Sequence, residues 1–312
     1  MTGVVGISGQ PKSTNRSLVS LPMIGRINWK SDWRCLSTSI PVSTVELAHD
    51  EYIPPDGNRS HRPLLILHGF FGSKRNWQSL SKAFMRDLGK PVYSLDLRNH
   101  GSSPHIGPMS YIHMAADILH FCQKHSLREI SLMGHSMGGK VAMTLALHPE
   151  LPSNLLTDLI VSDIAPVRAK VSEDTVQHIR DMERIEADNI YTRKEADEIL
   201  AEHEKDPNVR AFLLTNLEIK KETPVKFKIP VNYLKDGRPE IESFPYVPGE
   251  RSWDGHALFV KGKKSRFINH RNISLIDQFF PQNQLQELDT GHWVHAELPN
   301  EYRKLVVDFI LH

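Results

Sequence analysis

The chain has 312 residues, enough for one large domain or a domain that carries an insertion. Its 38 Lys and Arg stand against 37 Asp and Glu, a net charge of +1, with 39% apolar and 24% charged residues, so no polyanionic partner such as nucleic acid is implied. No stretch approaches the roughly 18 apolar residues of a membrane span, and the two cysteines, Cys35 and Cys122, exclude a disulfide scaffold and fit a reducing compartment.

Residues 1–31 contain no Asp or Glu, while Lys12, Arg16, Arg26 and Lys30 stand among Ser, Thr and Gly. That is the composition of a mitochondrial transit peptide, although a disordered tail of low acid content reads the same way. Residues 1–40 are therefore set apart as targeting segment or tail, and a mitochondrial location is expected. From residue 41 onward, short runs of Leu, Ile and Val predict buried strands at 64–67, 92–95, 130–133, 159–161 and 258–260, with a weaker one at 285–288. Helical patterns lie between and after them at 77–88, 111–125, 140–147 and 300–311. Strands buried on both faces and joined by helices imply an α/β chain with a doubly wound, mostly parallel sheet, its two parts at 41–165 and 253–312.

Residues 166–252 break this pattern: no buried-strand run occurs and charge density rises. A helix is expected at 173–187. Thr192 and Glu195 form a capping box for another at 192–204, and Asp206 before Pro207 opens a third. Residues 227–234 read as an extended piece ending in an Asp236-Gly237 turn, followed by a loop through Pro245 and Pro248. The expected product is a mainly helical cap inserted into the sheet domain.

The sharpest chemical signal is Gly134-His135-Ser136-Met137-Gly138-Gly139, after the strand at 130–133 and before a helix. A serine that must project above a sheet edge from a strained turn needs small residues two before and two after it, and Gly134 and Gly138 supply them. Its hydroxyl is a weak nucleophile that needs a histidine base and an acid to orient that base. Gly291-His292-Trp293, after the last strand, offers His292 as the base; His295 is the rival nearer the final helix. No carboxylate follows the strand at 258–260, whose loop runs Lys261 to Arg266, whereas Asp163 ends the strand at 159–161 beside the nucleophile strand. Asp163 is therefore the expected acid, and Asp254 or Asp277 would have to serve if Asp163 were only a rim carboxylate. Oxyanion donors are expected from the backbone of Met137 and of Phe70, in His68-Gly69-Phe70-Phe71-Gly72, where Gly69 permits close backbone approach. His68 is read as a brace for that loop, and Asp96 to Ser103 as charged groups tying loops together. No HExxH, CxxC, Walker or dinucleotide fingerprint occurs, so neither a metal nor a cofactor is expected.

Taken together, His68 to Gly72, the D-x-R-N-H-G-x-S run from Asp96 to Ser103, Gly134 to Gly139, Ser162 to Pro166 and Gly291 to Trp293 resemble an α/β-hydrolase group. That group contains mitochondrial abhydrolase-domain esterases, small bacterial acyl esterases and yeast ethanol acetyltransferases, and the resemblance spans residues 45–312. It implies the α/β-hydrolase fold, a triad acid after the strand beside the nucleophile strand, which favours Asp163, and mitochondrial residence. It also implies an acyl-serine enzyme acting on a short ester or thioester. Acetyl-CoA would be a substrate and ethanol the acceptor if the protein is an alcohol acetyltransferase, and water the acceptor if it is an esterase or thioesterase. A catalytically silent binding module is the alternative of another class, against which the complete set of Ser136, Asp163 and His292 argues.

Overall fold

The computed structural model describes Gly3 and residues 42–312. The targeting segment or tail expected at 1–40, Cys35 within it, falls almost entirely outside those residues. Seven strands form one sheet: β1 (His49–Tyr52), β2 (Leu64–Leu67), β3 (Val92–Leu95), β4 (Ile130–His135), β5 (Leu156–Ser162), β8 (His256–Gly262) and β9 (Asn283–Leu288). Their order is β1-β3-β2-β4-β5-β8-β9, with β1 antiparallel to β3 and all other pairs parallel. A parallel sheet needs crossover helices on both faces, and the side-chain alternation of each strand feeds both. Leu64, Ile66, Val92, Met133, Ile160 and Val260 pack beneath α1 (Gln78–Leu88) and α9 (Pro299–Leu311), through Phe84, Tyr302 and Val306. Leu65, Leu67, Leu95, Leu132, Leu159 and Phe259 face the other way, toward α2 (Tyr111–Lys124), α3 (Met137–Ala146) and α8 (Ile273–Phe279).

All six expected strands are present. The antiparallel edge β1 has no apolar run to announce it, because its residues are half-buried or exposed. The last strand gave a weak signal for the same reason: β9 is the opposite edge, and none of its residues is fully buried. Between β5 and β8 lie α4 (Glu173–Ala187), α5 (Arg193–Ala201), α6 (Pro207–Leu213), a two-stranded antiparallel ribbon of β6 (Leu217–Glu218) and β7 (Lys226–Phe227), and α7 (Val231–Ile241). Ser172, Thr192 and Asp206 cap α4, α5 and α6 through their side chains, each accepting a backbone N–H of the first turn.

One sequence expectation is overturned here. Residues 227–234 do not run extended into a turn: only Lys226–Phe227 is strand, and Asp236 and Gly237 lie inside α7. Val231, Leu234, Gly237 and Ile241 recur at helical spacing and form the buried face of that helix. Gly237 is there for contact, since a Cβ would stand 3.1 Å from the Cβ of Met109. An Asp-Gly pair marks a turn only where no tertiary surface demands its glycine. Residues Val42–His312 make one compact unit, and among the described residues no helix is long and apolar enough to cross a membrane.

Candidate active site

The elbow between β4 and α3 holds Ser136 at φ 51°, ψ −115°, a conformation that non-glycine residues rarely adopt. Close packing leaves no alternative. A Cβ on Gly134 would lie 2.2 Å from the Gly138 carbonyl oxygen, and one on Gly138 would lie 2.5 Å from the His68 carbonyl oxygen. The Ser136 N–H donates to the Ser162 carbonyl at 3.0 Å, tying the elbow to the end of β5. There the chain turns at Asp163, itself at φ 51° and fully buried. The Asp163 N–H donates to the Val260 carbonyl at 2.8 Å, and the Gly262 N–H returns a 3.0 Å bond to Asp163 Oδ1. The end of β8, whose following loop lacks a carboxylate, thus anchors the carboxylate of its neighbour.

His292 closes the arrangement from the loop after β9. Its Nδ1 donates to Asp163 Oδ2 at 2.7 Å, and its Nε2 lies 3.0 Å from Ser136 Oγ, oriented to accept from it. The structure therefore brings together Ser136, Asp163 and His292. Asp254 and Asp277 are exposed, and Asp277 bonds Asn283 instead. His295 is buried and stacked on Trp77 at 4.1 Å, away from the serine, and its burial lowers its pKa to about 3.

Phe70 and Met137 flank the serine in the cavity wall. Neither of their N–H groups donates to an acceptor among the described residues, so both stay free for an oxygen of the substrate. Gly69 passes so close to His135 that a Cβ would stand 2.8 Å from that ring. His68 donates from Nδ1 to the Gly69 carbonyl and accepts the Leu97 N–H at Nε2. Burial drives its pKa down, and with both ring nitrogens committed it braces the loop. In the run that follows β3, Arg98 makes a fully buried fork to Asp117, and Asp96 gathers Lys74 and the Ser102 N–H. These are ties between loops.

Several residues that matter here carried no sequence signal. His135 reads as the variable position of the elbow, yet its Nε2 donates to the His292 carbonyl at 3.0 Å and so holds the histidine loop. Glu297 accepts the N–H groups of Gly291 and Trp293 from the other side. Phe267 packs its ring 4.1 Å from that of His292. Asn216, from the segment between β5 and β8, donates to the Phe71 carbonyl at 2.7 Å and fixes the loop that carries Phe70. Glu297 acts within its own loop, whereas contacts between distant parts of the chain single out His135, Phe267 and Asn216.

In front of Ser136 lies a cavity of about 290 Å³. Phe70, Phe71, Met137, Ile164, Phe212 and Leu213 form much of its apolar lining, and α4 and α6 supply part of its outer wall. Among the described residues no cluster of His, Cys, Asp or Glu is arranged to hold a metal ion.

A serine, an imidazole and a buried carboxylate in line at the C-terminal edge of a parallel sheet define a serine enzyme of the esterase and acyltransferase class. The alpha/beta hydrolase fold family matches residues 62–299, and the chain belongs to it. It is 38% identical to a probable alcohol acetyltransferase of Saccharomyces cerevisiae, covering 82% of this chain and 79% of that one. It is 33% identical to an sn-1-specific diacylglycerol lipase of Xenopus tropicalis, over 85% and 82% of the two chains. Among solved structures, a marine microorganism esterase superposes with a TM-score of 0.77 at 33% identity, covering 85% of this chain and all of that one.

Proposed function

We propose that the protein transfers acyl groups from a thioester or ester to an alcohol through an acyl-serine, with hydrolysis as the competing outcome. The observation that carries this reading is the unbroken hydrogen-bond line from Asp163 through His292 to Ser136, at 2.7 and 3.0 Å. Ser136 Oγ attacks the carbonyl carbon while His292 Nε2 takes its proton, and Asp163 holds the imidazole and stabilises its charge. The N–H groups of Phe70 and Met137 receive the developing oxyanion. His292 returns the proton to the leaving group, and the acyl-serine is then resolved by the next hydroxyl to reach it.

Acetyl-CoA with ethanol is the simplest donor and acceptor pair, giving ethyl acetate with esterase and thioesterase turnover alongside. Similarity to an alcohol acetyltransferase supports it, as does the apolar lining, which favours an alcohol over water. Arg266 stands in the cavity wall next to Phe267, on the side of His292 from which a leaving group departs; a phosphate-bearing thiol would meet a cation there. A hydrolase of larger esters is the second reading, favoured by a cavity several times the volume of an acetyl group. A mitochondrial site of action is part of the proposal and rests on the composition of residues 1–31.

The test is product analysis with acetyl-CoA and rising ethanol, recording acetate and ethyl acetate together. Ethyl acetate growing at the expense of acetate is the expected result. Acetate alone would leave only hydrolysis, and neither product would remove acetyl-CoA as donor. Ser136→Ala, the blank, should lose on the order of 10⁶ in kcat.

A further inference from the structure

The cavity in front of Ser136 contains a charge that the acyl-serine chemistry does not use. Lys140 lies one turn into α3, its N–H bonded to the Ser136 carbonyl, so that both residues occupy the same helix face. It is 3% exposed, yet it belongs to the cavity wall. An ammonium carries three donors. One is used, at 2.9 Å to the Ser243 carbonyl, and the Tyr111 ring lies 5.3 Å from Nζ. Among the described residues no carboxylate makes an ion pair with it. Glu242, next in the chain to Ser243, turns instead to Arg238 and the Val171 N–H. Burial lowers the Lys140 pKa to about 8, against the pull of Glu242, which leaves the group charged at neutral pH. A buried cation without a counter-ion is costly to a fold. In the wall of a substrate cavity it is a receptor for an anion.

The geometry also distinguishes the acyl side of the cavity from the leaving side. The leaving atom must face His292 Nε2 to receive its proton, so Phe267 and Trp293, which pack about that ring, line the leaving group. Lys140, Tyr111 and Ile241 border the cavity as one group, with Lys140 Nζ over the Tyr111 ring and the Tyr111 hydroxyl bonded to the Ile241 carbonyl. A water molecule takes up roughly 30 Å³ of the liquid, so the cavity of about 290 Å³ has room for an acyl chain well beyond two carbons. We propose that Lys140 binds a carboxylate at the far end of the acyl group, making short dicarboxylic half-esters or half-thioesters the preferred acyl donors. This rests on the acyl-serine reading of Ser136 and names the acyl class for it.

The experiment compares monoethyl glutarate with ethyl pentanoate, equal in chain length and differing in the terminal charge, by the ethanol each releases. The native protein is expected to favour the glutarate ester at least tenfold in kcat/KM, and Lys140→Met to reduce that ratio tenfold or more, as loss of a charge-assisted hydrogen bond requires. A native preference for ethyl pentanoate would overturn the proposal. So would a Lys140→Met protein in which both esters suffer alike, since a lysine that merely ties down Ser243 would act on both. A second measurement needs no turnover: free glutarate should raise the melting temperature of the Ser136→Ala protein but not of Ser136→Ala with Lys140→Met. Absence of that shift in the single variant counts against the site even if the double variant does not fold. A shift without turnover of either ester by the native protein would sink the acyl-serine reading and leave the anion site standing.

Discussion

The C-terminal edge of the sheet and the segment between β5 and β8 both face the cavity, but different forces hold them. At the edge, Ser136 and Asp163 are fixed mainly by backbone: both sit at positive φ, beside glycines with no room for a Cβ, and N–H bonds lace β4, β5 and β8 together, while His292 is tied to them through Asp163, His135 and Glu297. The inserted segment is held by side chains. Its helices present apolar faces inward and exposed ion pairs outward, among them Arg184 with Glu202 and Asp188, and Lys235 with Glu183. Backbone contacts at van der Waals limits fix atoms to fractions of an ångström, as proton transfer demands. Amphipathic packing only has to exclude water and shape a pocket, and it tolerates exchange of residues.

Three predictions test this contrast. The largest effect is expected at the edge: Asp163→Asn should lower kcat about 10⁴-fold, because the amide no longer holds the imidazole in its working tautomer. Asp254→Asn and Asp277→Asn should stay near the native rate. A reversed ranking, read from steady-state kinetics, would mean that the carboxylate bonded to His292 is not the one that matters.

An intermediate effect concerns stability against pH. His100 and His295 are buried with pKa values lowered to about 3, and His135 also lies well below the ordinary range. Burial is the leading cause in each. Such groups stay neutral in the folded protein but protonate in the unfolded chain below about pH 6.5. The stability that His100 and His295 contribute is complete above that pH and is lost as pH falls from 6.5 toward 3, at about 1.4 kcal/mol per unit for each of the two. His295→Phe keeps the stack on Trp77 and removes one of them. Its melting temperature should therefore fall less steeply between pH 6.5 and 5 than that of the native protein, and parallel curves would contradict the assignment.

The smallest effect belongs to the inserted segment. Arg184→Ala removes two exposed ion pairs, and its melting temperature should stay within about 2 °C of the native value, with kcat/KM unchanged. A large loss of activity would show that these helices transmit more to the site than pocket shape.

Most of the sheet was legible because each central strand is a short, mainly apolar run rich in Leu, Ile and Val and bounded by turns, a local pattern that survives without tertiary information. The elbow was legible for a similar reason: strand, glycine, serine, glycine and helix are contiguous, and the strain at Ser136 is solved within six residues. α7 was misread because Asp236-Gly237 looks like a turn in isolation, and only the face of Met109 explains the glycine.

What the residues determined by themselves is the candidate nucleophile, the strand runs that place it and the order in which serine, carboxylate and imidazole arrive along the chain. Which carboxylate reaches the imidazole was decided by sheet order, because β5 lies between β4 and β8 and so brings Asp163 under both the elbow and the Gly262 N–H. Tertiary structure likewise decided that His135 holds the histidine loop and that Lys140 borders the cavity. Local spacing encodes backbone conformation within a few residues, whereas hydrogen bonds across 100 residues or more, such as that from His135 to the His292 carbonyl, exist only once the sheet has aligned its edge.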